Sequence, residues 1–264
     1  MMPSCLVIIH KPNNMEKKDL ARFGKFAREA HNAANCKYDG QDYGAHLDMV
    51  EDGVKKYQEV FIRPNDYIIA LAAASGHDLI EDAKLTFNDI MKVSNRRVAE
   101  VVLAVTDVHE ENRLLRHLFT MGKTTKDYVA LIVKMADIRG NALYSKMHGS
   151  SMYRKYVAEY AYRKPIFQMA LKRYEDVLDK DVLKDFWKEL DEIHDGESPV
   201  TVSEFDLLHF KNYVNTYHKT KHGGDDDSII VKDMLYGIGT SLDSENYKMA
   251  DGFRKFWEYL KTIM

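Results

Sequence analysis

Apolar residues in this chain recur at three- and four-residue spacing over segment after segment and almost nowhere alternate. That pattern points to helices and away from sheets. Leu20, Phe23, Phe26, Ala27 and Ala30 set a helix over residues 19–32. Only five prolines and 14 glycines interrupt the 264 residues, and long stretches are rich in Ala, Leu, Lys and Glu, which favour helix. Further helices are expected in "AHLDMVEDGVKKYQEV", in "DYIIALAAASGHDLIED" from Pro64 or Asn65, and in "TFNDIMKV". Thr86 caps the last of these, with Asp89 at the capping-box position. "RRVAEVVLAVTDV" and "TKDYVALIVKMADIRGNALY" add two more, and residues 153–190 give one or two helices interrupted near Pro165. "NCKYDGQDYG" reads as a loop. The expected class is all-α.

"IHDGESPVTV", with Gly196, Ser198 and Pro199, marks a boundary. It divides a main domain, 1-195, from a mainly helical C-terminal extension, 196-264. Within the extension, "HGGDDDS" lacks calcium-loop spacing and reads as a solvated turn. Tyr247, Phe253, Phe256, Trp257 and Leu260 either pack on the main domain or form a contact between copies of a homo-oligomer.

A net charge of -3 gives no footprint for nucleic acid. Cys5 and Cys36 are too few for a disulfide framework or a cysteine zinc site, and fit a reducing, cytoplasmic setting. "MMPSCLVIIHKPNN" has no basic n-region and no long apolar core, so it does not read as a signal peptide. No apolar run approaches bilayer length, and no membrane association is expected.

The chemistry gathers in "SGHDLIEDAKLTFNDI", where His77, Asp78, Glu81 and Asp82 fall within six positions after an apolar run. On a continuous helix, residues four apart share a face, so His77 would sit over Glu81 and Asp78 over Asp82. Buried together, those carboxylates would repel, and a divalent cation removes the conflict. Imidazole nitrogen with carboxylate oxygen suits Mn²⁺ or Fe²⁺. A solvated, acidic helix end is the plainer explanation of the same residues. His46 begins a helix after a Gly-containing loop, and Asp137 interrupts an apolar helix among Val133, Met135 and Ala136. A carboxylate there needs a partner, either Lys134 or Arg139, or an ion.

An early His, a His-Asp pair and a later Asp, in this order, resemble the HD-domain metal-dependent phosphohydrolases. Within them the chain is similar to the RelA/SpoT hydrolase branch, including stand-alone small alarmone hydrolases. The matching pieces are "AREAH", "YDGQDYGAHLDMV", "HDLIEDAKLTFNDI", "VVLAVTD" and "IVKMADIRGN", over about residues 20 to 150. The resemblance implies an HD-domain helical bundle in which His46, His77, Asp78 and Asp137 hold the metal, most simply Mn²⁺. It assigns Glu81 and Asp82 as the acid/base pair. It puts Asn141 on the nucleotide, and Lys37 and Tyr38 where the family carries an Arg-Lys pair near base and phosphates. Lys134 pairs with acidic groups, reaches phosphate or is a surface lysine; Arg113 and Arg139 are candidate phosphate contacts, with plain exposed arginine the default reading. His31 is expected to pack within the fold or hydrogen-bond the loop and not to bind metal. The family's Pro before the loop Tyr is Asp42 here, and its "ADRLHN" is "ADIRGN".

The implied activity is hydrolysis of guanosine-3',5'-bis(diphosphate) (ppGpp) at the 3'-pyrophosphate by a metal-activated water, releasing pyrophosphate, as in the stringent response. Tyr38 in place of a second basic residue motivates an alternative substrate: a dNTP, a nucleoside monophosphate or NADPH. A third reading keeps the fold without turnover, as a nucleotide-binding sensor.

Overall fold

The computed structural model describes Met15 and residues 17–110 and 113–194, and shows an all-α bundle. The expectations for the extension, including "HGGDDDS" and the aromatic residues after Tyr247, lie outside the described residues. In chain order the helices are α1 (Lys17–Ala33), α2 (Gly44–Lys56), α3 (Pro64–Gly76), α4 (Phe87–Val93), α5 (Arg96–Val105), α6 (Arg113–Thr124), α7 (Tyr128–Met147), α8 (Met152–Leu171) and α9 (Lys180–Ile193). No helix among the described residues is long and apolar enough to cross a membrane.

Local chemistry sets the starts. Pro64 occupies the first turn of α3, where its missing N–H has no helical partner to lose. Thr86 and Asp89 close the expected capping box: Thr86 Oγ1 accepts from the Asp89 N–H at 3.2 Å, and the Thr86 N–H donates to Asp89 Oδ2 at 3.1 Å. Asn95 caps α5 through the Val98 N–H, and Asp127 caps α7 through the N–H groups of Val129 and Ala130.

The core lies along α3 and α7, which are apolar on nearly every face and therefore sit inside the bundle. Ile69 to Ala74, Leu79, and the run from Val129 to Ala136 apart from Lys134 are buried. α2 packs on both, α1 covers α3, and α5 lies against α3 and α7. The α2–α7 approach is close because Gly53 faces Ala136: a Cβ on Gly53 would stand 3.0 Å from the Ala136 Cβ. Gly140 of α7 answers from the other side, where a Cβ would come 3.3 Å from the Met49 Cβ. These two contacts bring His46 on α2 next to Asp137 on α7.

Three local expectations change. The segment read as a loop contains a two-stranded hairpin, β1 (Lys37–Tyr38) paired with β2 (Gln41–Asp42), Lys37 opposite Asp42. Asp39 and Gly40 turn it with φ of 50° and 78°, the left-handed pair that an Asp-Gly hairpin turn requires. The interruption near Pro165 does not occur, since α8 runs through it to Leu171. A proline costs the helix one hydrogen bond and crowds the preceding turn, and burial of Tyr160 before it and of Ile166, Phe167 and Ala170 after it offsets that cost. The break comes later, at a single 3-10 turn over Lys172–Tyr174.

The third change bears on the site. α3 ends at Gly76, so His77 to Asp82 form successive turns and not a helical continuation. The Leu79 N–H donates to the Gly76 carbonyl and the Asp82 N–H to the Asp78 carbonyl. Leu79 is driven into the core at 0% exposure, and the chain tightens around it. Lys84 leaves in the left-handed region at φ 58°.

Candidate metal centre

Three elements deliver the donors. His46 comes from the first turns of α2, His77 and Asp78 from the turn after α3, and Asp137 from the middle of α7. The Nε2 atoms of His46 and His77 stand 3.0 Å apart. Asp78 Oδ2 lies 2.9 Å from His77 Nε2 and 3.3 Å from His46 Nε2. Asp137 Oδ1 lies 3.6 Å and 3.7 Å from the same two nitrogens. His46, His77 and Asp137 are buried, and each offers a ligand atom within 4.8 Å of the others'. Donors sharing one ion at bonds of about 2.1 Å stand roughly 3.0 to 3.4 Å apart, which the separations here bracket. The group could therefore hold a metal ion.

The surrounding bonds orient it. His77 Nδ1 meets the Ala74 carbonyl at 2.8 Å, which leaves Nε2 aimed at the centre. His46 Nδ1 is buried without a hydrogen-bond partner among the described residues. Its ring is held by stacking instead: Tyr38 lies over it at 4.6 Å and 6°, and Tyr43 meets it edge-on at 5.6 Å. Asn141, one turn along α7, donates to Asp137 Oδ1 at 2.6 Å and accepts from the Tyr38 hydroxyl at 2.9 Å.

The electrostatics ask for a cation. Burial would lower the His77 pKa, yet the carboxylates of Asp78 and Asp137 push it up to about 9. Asp78 and Asp137 are held below the usual carboxylate range, because the two histidines, and for Asp137 also Lys134, outweigh the burial that acts against them. Lys134 lies 3.1 Å from Asp137 Oδ2 and 3.8 Å from Asp107 Oδ1. Burial would lower its pKa, but Asp137, Asp107 and Glu81 raise it on balance.

The acid/base pair assigned by resemblance divides between two sides. Glu81 does not sit over His77; its Oε1 accepts from the backbone N–H of Asp107. Burial chiefly, with Asp78 and Asp107 adding and Lys134 opposing, pushes its pKa up to about 7. Asp82 does face Asp78, and the Tyr43 hydroxyl lies between them, 2.6 Å from Asp78 Oδ2 and 2.5 Å from Asp82 Oδ2. Burial and these two carboxylates raise the phenol far above its ordinary value, so it keeps its proton.

Compared with family models, curated proteins and solved structures, the chain matches none. The case for this site accordingly stands on its own residues.

The remaining assignments separate. Lys37 is exposed on β1 at the rim, while Tyr38 and Asn141 are tied to each other and to the centre. Lys134 is an interior ion-pair partner with a side chain 14% exposed, not an outward arm. Arg139 is not at the site. It makes two bonds to Glu189 of α9, at 3.0 Å and 2.8 Å, because that carboxylate is the partner nearest its side of α7. Arg113 bonds Glu159 of α8. His31 is fully buried and stacks on Tyr43 at 4.2 Å and 13°. Asp107 and Tyr43 were not among the assigned residues. Asp107 closes the quoted "VVLAVTD", and Tyr43 stands three residues before His46, where a helix entry puts it on the same face.

Proposed function

We propose that this protein is a divalent-cation-dependent phosphohydrolase of the HD type, similar to the RelA/SpoT hydrolases, with Mn²⁺ as its ion. The observation that carries the reading is the convergence of His46, His77, Asp78 and Asp137 from three elements onto one buried point, with Asp82 linked to Asp78 through the Tyr43 hydroxyl. A bound divalent ion would polarise a phosphoryl oxygen and lower the pKa of water at the site.

The chain's own groups supply the rest. Glu81, with a pKa near 7, exchanges a proton with the attacking water close to neutral pH. The Asp107 N–H fixes its carboxylate. Asp82, bonded to Tyr43, is the second proton-handling group. Lys134 offsets the charge of Asp137 and Asp107. No covalent enzyme intermediate is needed.

The substrate we put first is ppGpp, cleaved to pyrophosphate and GDP. A second substrate reading has a specific observation behind it. Tyr38 stacks on His46, and its hydroxyl is spent on Asn141. Two of the assigned nucleotide-contact positions, Tyr38 and Asn141, are thereby engaged with each other and with the candidate metal centre, which favours another nucleotide, such as a dNTP, a nucleoside monophosphate or NADPH. Product analysis tests the choice: purified protein with Mn²⁺ and each nucleotide, with Asp78→Ala as control. Pyrophosphate and GDP from ppGpp, lost in the variant, is the expected result. Products from another nucleotide alone would discard the alarmone assignment and keep the chemistry. Turnover of ppGpp surviving in Asp78→Ala would remove the site. Nucleotide binding with no turnover would favour a sensor.

A further inference from the structure

The Tyr43 hydroxyl carries one proton and stands within hydrogen-bond reach of two carboxylates, Asp78 Oδ2 at 2.6 Å and Asp82 Oδ2 at 2.5 Å. A phenol can donate fully to one acceptor at a time. Asp78 Oδ2 is also the atom that lies 2.9 Å and 3.3 Å from the two inward-facing imidazole nitrogens. The hydroxyl and an ion would therefore both draw on the electron density of the same oxygen, and an ion there makes it the poorer acceptor of the two carboxylates.

The ring has little freedom to move away. Tyr43 is 7% exposed and stacks face to face on His31. His31 is buried, and neither of its nitrogens has a hydrogen-bond partner among the described residues, so it offers Tyr43 a flat face only. Tyr38 closes the other direction edge-on at 6.4 Å. With the ring fixed, what remains is rotation of the O–H bond from one carboxylate to the other.

We propose that Tyr43 is a positioning residue that couples occupancy of the metal centre to Asp82. The inference rests on the metal-centre reading above. With the centre vacant, the hydroxyl donates to Asp78. When an ion draws on Asp78 Oδ2, the hydroxyl turns to Asp82 and fixes that carboxylate for proton handling. No covalent bond changes in this step; one hydrogen bond is exchanged for another.

Coupling of this kind is reciprocal. Asp82, which lies outside the ligand set, must then contribute to ion affinity, and the hydroxyl must carry that contribution. The test is a double-mutant cycle on Mn²⁺ affinity, measured by calorimetry on the full chain: wild type, Tyr43→Phe, Asp82→Ala and the double variant. Tyr43→Phe keeps the ring stacked on His31, and thermal midpoints verify folding. Asp82→Ala removes a charge near the ion in both backgrounds, so only the difference between backgrounds is informative.

The expected result is that Asp82→Ala weakens Mn²⁺ binding roughly tenfold more when the Tyr43 hydroxyl is present than when it is absent, in keeping with a hydrogen bond to a charged group. Equal factors in the two backgrounds would overturn the coupling while leaving the metal centre standing. No Mn²⁺ binding by the wild type would overturn the metal-centre reading, and this inference with it. Where the wild type turns a nucleotide over, Tyr43→Phe lowers kcat with KM nearly unchanged, and has no further effect on an Asp82→Ala background.

Discussion

Lys134 sits inside α7 with its ammonium between Asp137 and Asp107, a cation that joins the candidate metal centre to the turn after α5. Removing one member of a buried ion pair leaves an uncompensated charge and costs about 3–5 kcal/mol. Lys134→Met is expected to lower the urea midpoint accordingly, and added Mn²⁺ to restore part of the loss by neutralising Asp137. A midpoint equally low with and without the ion would contradict this. Glu81 gives a complementary prediction. Glu81→Gln retains an acceptor for the Asp107 N–H but cannot take a proton. Turnover should fall by about 10²- to 10⁴-fold with Mn²⁺ affinity little changed. The residue types were legible because a carboxylate amid Val133, Met135 and Ala136 demands a partner. Their partition was not: Lys134 and Arg139 both flank Asp137 in sequence, and only the position of α9 sends Arg139 to Glu189.

At the scale of elements, the site depends on how closely α2 and α7 approach. Gly53→Ala would place a Cβ 3.0 Å from that of Ala136, and overpacking of this kind costs about 1–3 kcal/mol. Ala136→Gly in the same chain should return much of the loss, which urea midpoints of the single and double variants would check; simple additivity would remove the close-approach argument. α9 is tied to α2 and α7 through Glu189, which accepts from Arg139, Lys56 and Tyr57. Burial alone would raise the Glu189 pKa; those hydrogen bonds outweigh it and lower it to about 2. A lowered carboxylate pKa stabilises the fold above the unfolded value, about 4.5, and that contribution disappears as pH falls toward 2. The stability difference between wild type and Glu189→Gln should therefore shrink between pH 4.5 and 2, and a constant difference would contradict it. Helix positions were readable from apolar spacing and caps. The end of α3 was not, because His77 to Asp82 carry helical spacing while Leu79 pulls the chain into tighter turns. The Asp39-Gly40 turn has a readable signature, but strands of two residues each, without apolar alternation, leave the segment looking like a polar loop.

In the molecule as a whole, an all-α bundle brings donors from α2, the α3–α4 turn and α7 onto one point in its interior. The bundle was legible from periodicity; the convergence was not, since spacing along a chain does not say which helix faces which. The buried imidazoles and carboxylates stand 2.9–3.7 Å from one another there. Calorimetric titration of the full chain with Mn²⁺ tests whether they hold an ion, using His46→Ala and Asp137→Ala beside the wild type. One ion per chain is expected, with binding lost in both variants while their helical circular dichroism is retained. A wild type that binds no divalent ion, or binding that survives both substitutions, would contradict it.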